Sequence, residues 1–282
     1  MMQKPISAAE AARAAASPAA TPVRVTIVTL DSHMASTVER ARAILKRELP
    51  GLSLTLHAVT EWAGDEDAMA HAREDVLSAD IVIANMVFLE EHIKIIEPWL
   101  AEVRERNDAT VGTLSAAEIV KLTRLGEFNM ANPSGGMIGL LKRLRGKKSK
   151  TGSAGAGQMK LLRQIPKFLR FIPGKAQDVR AYFLTMQYML AGSDDNIVNL
   201  VRFLIARYAK GPREVLRTIV KPADPAIYPD VGLYHPALKD RVTDDLSVYE
   251  RAAGRGGQAG TVGLLVMRSY VLAGNTGHYD GV

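Results

Sequence analysis

The stretch Asp80–Met86, DIVIANM, decides how the rest of this chain is expected to fold. Its centre is aliphatic on both faces of an extended chain, which is typical of a central strand in a parallel sheet. Parallel strands cannot be joined by tight hairpins, and they need crossover connections that are usually helices. The sequence on either side of this stretch should therefore alternate strands with helices.

Three further strands fit this expectation. Val23–Leu30 and Leu52–Val59 precede the central stretch, and Thr110–Leu114 follows it. Apolar residues recur at helical spacing between them, and the predicted helices are Met34–Leu49, Asp65–Leu77 and Glu90–Arg106. We therefore predict an α/β fold with a doubly wound, mostly parallel sheet of the Rossmann or flavodoxin-like type.

The composition changes along the chain, and these changes divide it into five predicted regions. Residues 1–22 are rich in Ala and Pro and should form a flexible tail, and residues 23–127 are the α/β N-terminal domain. Residues 128–175 are a basic mobile segment, whose middle (Ser149–Gly157) is Gly/Ala/Ser-rich. Residues 176–259 should be a helical and extended connector, with helices at Gln177–Leu190 and Asp194–Ala209.

The last region, residues 260–282, reads GTVGLLVMRSYVLAGNTGHYDGV. Its aliphatic run from Thr261 to Val266 predicts a buried strand, and Asn275 and Thr276 could cap a helix that opens near Gly277. A strand with its turn and no following helix cannot bury its own apolar face. We therefore expect this region to be the first strand of a truncated second α/β domain, and the chain to be the front of a longer protein.

The composition also limits the environment of the chain. Its hydrophobic share of 47% fits a globular chain with a substantial core, and no apolar run approaches the roughly 20 residues that cross a bilayer. We expect no transmembrane segment and no signal peptide. Cys is absent, which excludes disulfides and fits a reducing cytoplasm.

Phosphate and nucleic-acid sites are not expected in this chain. The Gly-rich stretch Asn132–Gly136 lacks the Lys-Ser/Thr of a phosphate loop, and the turn after the first strand lacks G-x-G-x-x-G. The basic stretch Lys142–Lys175 carries few aromatic residues, so base stacking is unconvincing. A solvated mobile loop and a docking surface for an acidic partner remain as interpretations of that stretch.

Four stretches carry a resemblance to a known family. They are VTLDSH at Val28–His33, the long run at Leu161–Ile197, YPDVGLYHP at Tyr228–Pro236, and MRSYVLAGNTGHYDGV at Met267–Val282. In this order they resemble the first quarter of the large, porphyrin-binding H subunit of magnesium chelatase, within the cobaltochelatase large-subunit superfamily. The resemblance runs from about Val23 to the last residue.

The resemblance implies a place in an enzyme, with no activity expected of this portion alone. The family inserts Mg²⁺, its substrate, into protoporphyrin IX in chlorophyll and bacteriochlorophyll synthesis. ATP is bound and hydrolysed by a partner AAA+ ATPase subunit, which acts with a companion subunit. Two alternatives stay open: a cobaltochelatase-type large subunit that acts on a corrin, and a non-catalytic docking module.

Candidate substrate-binding residues lie in the segments that carry the resemblance. Arg268 could pair with a propionate, or it could form an internal salt bridge. His235 and His278, which neighbour Tyr234 and Tyr279, could contact the substrate, although a His hydrogen-bonded within a turn is the more common arrangement. Tyr279 is the fourth candidate. We assign no catalytic base and no metal ligands.

One further motif has a functional and a structural interpretation. Asp31-Ser32-His33 follows the first strand, at the sheet edge where open α/β sheets bind ligands. A helix cap by Ser32 explains the motif without any chemistry, and we favour that interpretation.

Overall fold

The computed structural model describes residues 17–30, 32–131, 163–254 and 263–280. The predicted mobile stretch Ser149–Gly157 and most of the predicted N-terminal tail lie outside these ranges.

A six-stranded sheet forms the centre of the fold, with strand order β2-β1-β3-β4-β5-β6. Its strands are β1 (Val23–Thr29), β2 (Leu52–Ala58), β3 (Ile81–Asn85), β4 (Ala109–Thr113), β5 (Arg124–Leu125) and β6 (Phe128–Asn129). The first four strands are parallel, and β5 and β6 add a short antiparallel edge. All five residues of β3 are buried, as its two apolar faces predict. The predicted α/β fold with a mostly parallel sheet is confirmed.

Helices cover both faces of this sheet. They are α1 (Ala35–Leu45), α2 (Glu66–Ser78), α3 (Glu90–Val103) and α4 (Ala117–Lys121). The apolar side of α1 belongs to one buried core, whereas α2, α3 and α4 share a second core. The sheet is therefore doubly wound, and the direction in which successive strands are added reverses between β1 and β3.

Two long helices complete the layer on the α1 face. They are α5 (Lys175–Ala191) and α6 (Asp194–Tyr208), which agree with the two helices predicted in this part of the sequence. Ser193 caps α6 by accepting a hydrogen bond from the backbone amide of Asn196. Residues of both helices, such as Phe183 and Leu204, share one buried core with Ile27 of β1. The predicted connector thus supplies a layer of the same core.

Two ion pairs fasten α6 to α1. Arg40 donates from Nε to Asp194 at 2.6 Å, and Arg202 donates from Nε to Glu48, just after α1, at 2.7 Å. Each arginine also reaches the second carboxylate oxygen of its partner through Nη2. This paired arrangement fixes the orientation of the two helices better than a single contact would.

The remaining elements are short. A 3-10 helix (Gly211–Val215) leads into α7 (Leu216–Ile219), and a two-stranded antiparallel hairpin follows. Its strands are β7 (Leu233–Tyr234) and β8 (Val242–Thr243), and they are followed by α8 (Leu246–Ala253) and α9 (Arg268–Leu272).

The predicted strand at the start of the last region is wrong for its described residues. Residues 263–267 form no regular structure, and Arg268–Leu272 is a helix. An aliphatic run becomes a strand only when another strand pairs with its backbone, and no described strand does so here. In the described ranges of the chain, no helix is long and apolar enough to span a membrane.

Candidate functional site

A cleft of about 600 Å³, here called the C-terminal cleft, opens between the β7–β8 hairpin, α8 and the segment that leads into α9. Its walls are mostly aliphatic, and they include Val231, Leu233, Val242, Leu246, Leu264, Leu265, Val266 and Val271. Leu264 is 59% exposed and Leu265 is fully exposed. Exposed aliphatic side chains that line a concave surface are typical of a binding site for an apolar ligand.

Tyrosines add polar groups to this cleft. Tyr234, Tyr249 and Tyr279 all line it. The Tyr234 hydroxyl donates a hydrogen bond to the Asp280 carboxylate. Burial raises the pKa of Tyr234, and the hydrogen bond to Asp280 raises it further. The phenol therefore stays protonated at neutral pH and remains a hydrogen-bond donor.

Arg268 lies at the wall of the C-terminal cleft and is tied to the backbone. Its Nε donates to the carbonyl of Pro229 at 2.6 Å, and Nη2 and Nη1 donate to the carbonyls of Tyr228 and Leu190 at 3.3 and 3.4 Å. Burial lowers the pKa of Arg268, although a guanidinium stays charged at neutral pH. No carboxylate of the described residues forms a salt bridge with it, so the alternative of an internal salt bridge is not observed among these residues.

The guanidinium has five N–H groups, and three of them serve these carbonyls. Two N–H groups remain for other contacts, and the positive charge is attracted by the nearby Asp230 carboxylate. Arg268 also lines a second, smaller cavity beside α5, together with Arg163, which pairs with Asp230. Arg268 thus joins residues 228–229 to the end of α5, and it lies at the wall of both cavities.

The other predicted site residues differ in their position relative to the C-terminal cleft. Tyr279 lines the C-terminal cleft with Arg268, and the ring of His278 packs on that of Tyr279 with their centroids 3.8 Å apart. His235 accepts a hydrogen bond at Nδ1 from the backbone amide of Ala237, and its ring meets Tyr249 edge-on. His235 is therefore a turn residue beside the cleft, and Arg268 and Tyr279 are the predicted residues that line it.

A row of four rings leads from the C-terminal cleft to the edge of the sheet. Beyond His278 and Tyr279, Tyr270 meets His278 edge-on at 6.0 Å, and His33 stacks on Tyr270 at 5.8 Å. The N-cap of α1 is Met34, and no side chain of the described residues caps this helix, so the cap expected from Ser32 is wrong. The sequence indicates that His33 lies at the end of β1, at the edge of the sheet. It does not indicate the contact between His33 and Tyr270.

The described residues contain no group of three or more His, Asp or Glu side chains that could hold a metal ion. The C-terminal cleft therefore offers apolar walls, phenol groups, the Arg268 cation and the carboxylate of Asp230, which pairs with Arg163. This chemistry suits the binding of an apolar ligand that carries an acidic group.

The fold defines the class of protein: an α/β domain whose helical layer continues into a surface with an apolar cleft. A family model described as a domain of unknown function (DUF3479) matches residues 24–183, and one described as CobN/Magnesium Chelatase matches residues 186–282. The two matches meet within α5.

Curated relatives agree with the second of these models. The chain is 50% identical over 266 residues to the magnesium-chelatase H subunit of Cereibacter sphaeroides, covering 94% of this chain and 22% of the relative. It is 44% identical over 258 residues to the magnesium-chelatase H subunit of Rhodobacter capsulatus, covering 92% and 21%. It is 29% identical over 273 residues to the chloroplastic magnesium-chelatase protein ChlH of Oryza sativa subsp. indica, covering 92% and 19%.

The chain therefore belongs to the family of magnesium-chelatase H subunits and, over residues 24–183, to the domain family DUF3479. It spans about a fifth of the length of the curated relatives that it matches.

Proposed function

We propose that this chain is part of the porphyrin-binding subunit of a magnesium chelatase, which inserts Mg²⁺ into protoporphyrin IX in chlorophyll or bacteriochlorophyll synthesis. The observation that carries the proposal is the 50% identity to a magnesium-chelatase H subunit over nearly the whole chain. ATP is hydrolysed on an AAA+ partner subunit in this proposal, and the complex works in the cytoplasm.

The C-terminal cleft gives this part of the subunit a role in holding the tetrapyrrole. A porphyrin is a large flat ring with an apolar body and two propionates. The volume of about 600 Å³ and the aliphatic walls suit that body. The two remaining N–H groups of Arg268 suit one propionate, since guanidinium and carboxylate pair well.

Insertion of Mg²⁺ also requires a base that takes the pyrrole N–H protons. We assign that base to no residue of this chain. The role proposed for the chain is binding and orientation of the ring, with His278 and Tyr279 as the aromatic end of the site. His235 supports the turn beside it.

Titration of the chain with protoporphyrin IX, followed by porphyrin fluorescence, tests this proposal. Replacing both Leu264 and Leu265 by Asp should raise Kd at least about tenfold, because burying each leucine contributes about 1.5–3 kcal/mol and about 1.4 kcal/mol corresponds to tenfold. Phe171→Asp is the matched control, since Phe171 is 84% exposed and does not line the cleft. Saturable binding that the double variant leaves unchanged would contradict the assignment of this cleft.

The dimethyl ester of protoporphyrin tests the part of Arg268 without altering the protein. The ester keeps the ring and removes both negative charges, so it should bind several-fold more weakly than the free acid. This comparison is preferable to Arg268→Ala, which would also break three hydrogen bonds to the backbone. Equal affinity for acid and ester would show that Arg268 has a structural role alone.

A further inference from the structure

A further cleft, separate from the two cavities described above, lies at the carboxyl ends of the parallel strands. At this point the connections from neighbouring strands leave towards opposite faces of the sheet. The chain leaves β1 towards α1 on one face, and it leaves β3 towards α3 on the opposite face. Between the two departing segments a crevice opens, lined by His33 and Met34 on one side and by Asn85, Met86 and Phe88 on the other. Open α/β sheets bind their ligands at this kind of position. We call it the switch-point cleft.

The helical layer closes this crevice into a pocket of about 320 Å³. The end of α5 and the turn into α6 contribute Met189, Leu190 and Gly192, and α9 contributes Ser269. Phe88 remains 47% exposed. The pocket therefore lies between two layers of the fold, where small-molecule sites are common.

Backbone strain is concentrated at the same place. Met86 has φ of 60° and Leu114 has φ of 49°, although neither is a glycine, and both line the pocket. The strained turns are held by the amide of Met86, which donates to the carbonyl of Thr113 at 3.3 Å, and by the amide of Val87, which donates to Ser115 Oγ at 3.0 Å. Such strain persists where surrounding structure enforces it, and it clusters at functional sites.

The lining chemistry selects the kind of ligand. Three methionines (Met34, Met86 and Met189) line the pocket together with Phe88. Thioethers pack favourably against aromatic rings and adapt to their shape. None of the described lining residues is Lys, Arg, Asp or Glu. Apart from the imidazole of His33, a nucleotide phosphate would find no cationic side chain among these residues, whereas a neutral ring would find suitable walls.

We propose that the switch-point cleft binds a flat, uncharged aromatic group between its methionines and Phe88, with Asn85 and Ser269 as polar groups at the edge of the ring. This inference does not rest on the function proposed for the C-terminal cleft. The group can belong to a small free molecule or to the neutral edge of a tetrapyrrole, and the chemistry of the pocket is the same for both.

Titration of the chain with N-phenyl-1-naphthylamine, a neutral probe that fluoresces in apolar sites, tests the proposal. We expect saturable binding, and Ser269→Trp, which fills the pocket, should weaken it at least tenfold. Ser78→Trp is the matched control, because Ser78 is an exposed residue at the end of α2 and does not line the pocket. It should bind the probe as the unaltered chain does.

Met86→Gly is a second variant that separates binding from folding. Glycine adopts a positive φ freely, so the variant should fold at least as well, yet it loses one thioether wall. We expect weaker probe binding with no loss of thermal stability. An absence of saturable binding, or unchanged affinity in both Ser269→Trp and Met86→Gly, would overturn the proposal.

Competition with protoporphyrin IX identifies the source of the aromatic group. If protoporphyrin displaces the probe and Ser269→Trp also weakens protoporphyrin binding, the natural group is the edge of a tetrapyrrole. If protoporphyrin binds without displacing the probe, the natural group is a separate small aromatic molecule. Both results support the site. Loss of probe binding in the Leu264→Asp, Leu265→Asp variant, with none in Ser269→Trp, would place the probe in the C-terminal cleft and overturn the proposal.

Discussion

Replacing Arg213 by alanine is expected to lower the free energy of unfolding by about 3–5 kcal/mol, since this variant leaves a buried carboxylate without its partner. Asp108 is 2% exposed, and it accepts hydrogen bonds from Nε and Nη2 of Arg213 at 2.9 and 3.1 Å. Arg213 also reaches Asp80 at 3.1 Å, so one guanidinium serves two carboxylates beside the sheet. The hydrogen bond to Asp108 raises the pKa of Arg213.

The backbone amide of Lys210 donates to Asp108 at 3.1 Å, but it cannot neutralise the charge. Urea unfolding followed by circular dichroism measures the expected loss. Lys94→Ala is the control, because its pair with Glu90 is exposed on both sides and such pairs contribute about 0–1 kcal/mol. Similar small losses in Arg213→Ala and Lys94→Ala would show that the chain beyond α6 is not anchored through Asp108.

The second large effect is expected for Tyr188→Ala, which should cost about 3–5 kcal/mol, as large-to-small changes of buried aromatic residues do. Tyr188 is 1% exposed, and its ring lies 5.8 Å from that of Phe203 on α6. Its hydroxyl donates to the carbonyl of Ala223, which fixes the extended segment after α7. The alanine variant would leave a cavity between α5 and α6.

Tyr188→Phe separates the ring from the hydroxyl. It keeps the packing and removes one hydrogen bond, so a loss of about 0.5–1.5 kcal/mol is expected. The difference between the two variants then measures the packing of the ring. If phenylalanine and alanine destabilise the chain equally, the hydroxyl contact with Ala223, rather than the packing of the ring, accounts for the contribution of Tyr188 to stability.

The elements that could be predicted from the sequence are those with a local pattern. The strand expected at Asp80–Met86 is observed as Ile81–Asn85, and the helix expected at Asp194–Ala209 is observed as Asp194–Tyr208. Periodicity and a capping serine act within a few residues of the backbone that they shape. Such signals can be read without knowing the neighbours of an element in space.

The features that were missed depend on contacts between distant residues. The strands β5 and β6 have two residues each, which is too short for a period. The run Leu264–Val266 has the composition of a strand, but the described chain places no strand beside it. The packing of α5 against β4 and β5, and of α6 against α1, likewise depends on how their apolar sides meet, and a helical pattern does not specify its partner.

The candidate site could be predicted in part. Arg268 and Tyr279 were expected from the resemblance, and the structure places both at one cleft. The contact of His33 with Tyr270 joins residues more than 230 positions apart, and the positive φ of Met86 arises from a turn locked against the next strand. Neither feature has a local signature.

The most direct test of the central claim is a chimera in which this chain replaces the matching part of the Cereibacter sphaeroides magnesium-chelatase H subunit. Formation of Mg-protoporphyrin is measured with the partner subunits of that chelatase, ATP and Mg²⁺. We predict that the chimera is active, that Phe171→Asp within it keeps this activity, and that the Leu264→Asp, Leu265→Asp chimera loses most of it through a raised KM for protoporphyrin. A folded chimera that makes no Mg-protoporphyrin, or a double variant as active as its parent, would contradict the proposed function.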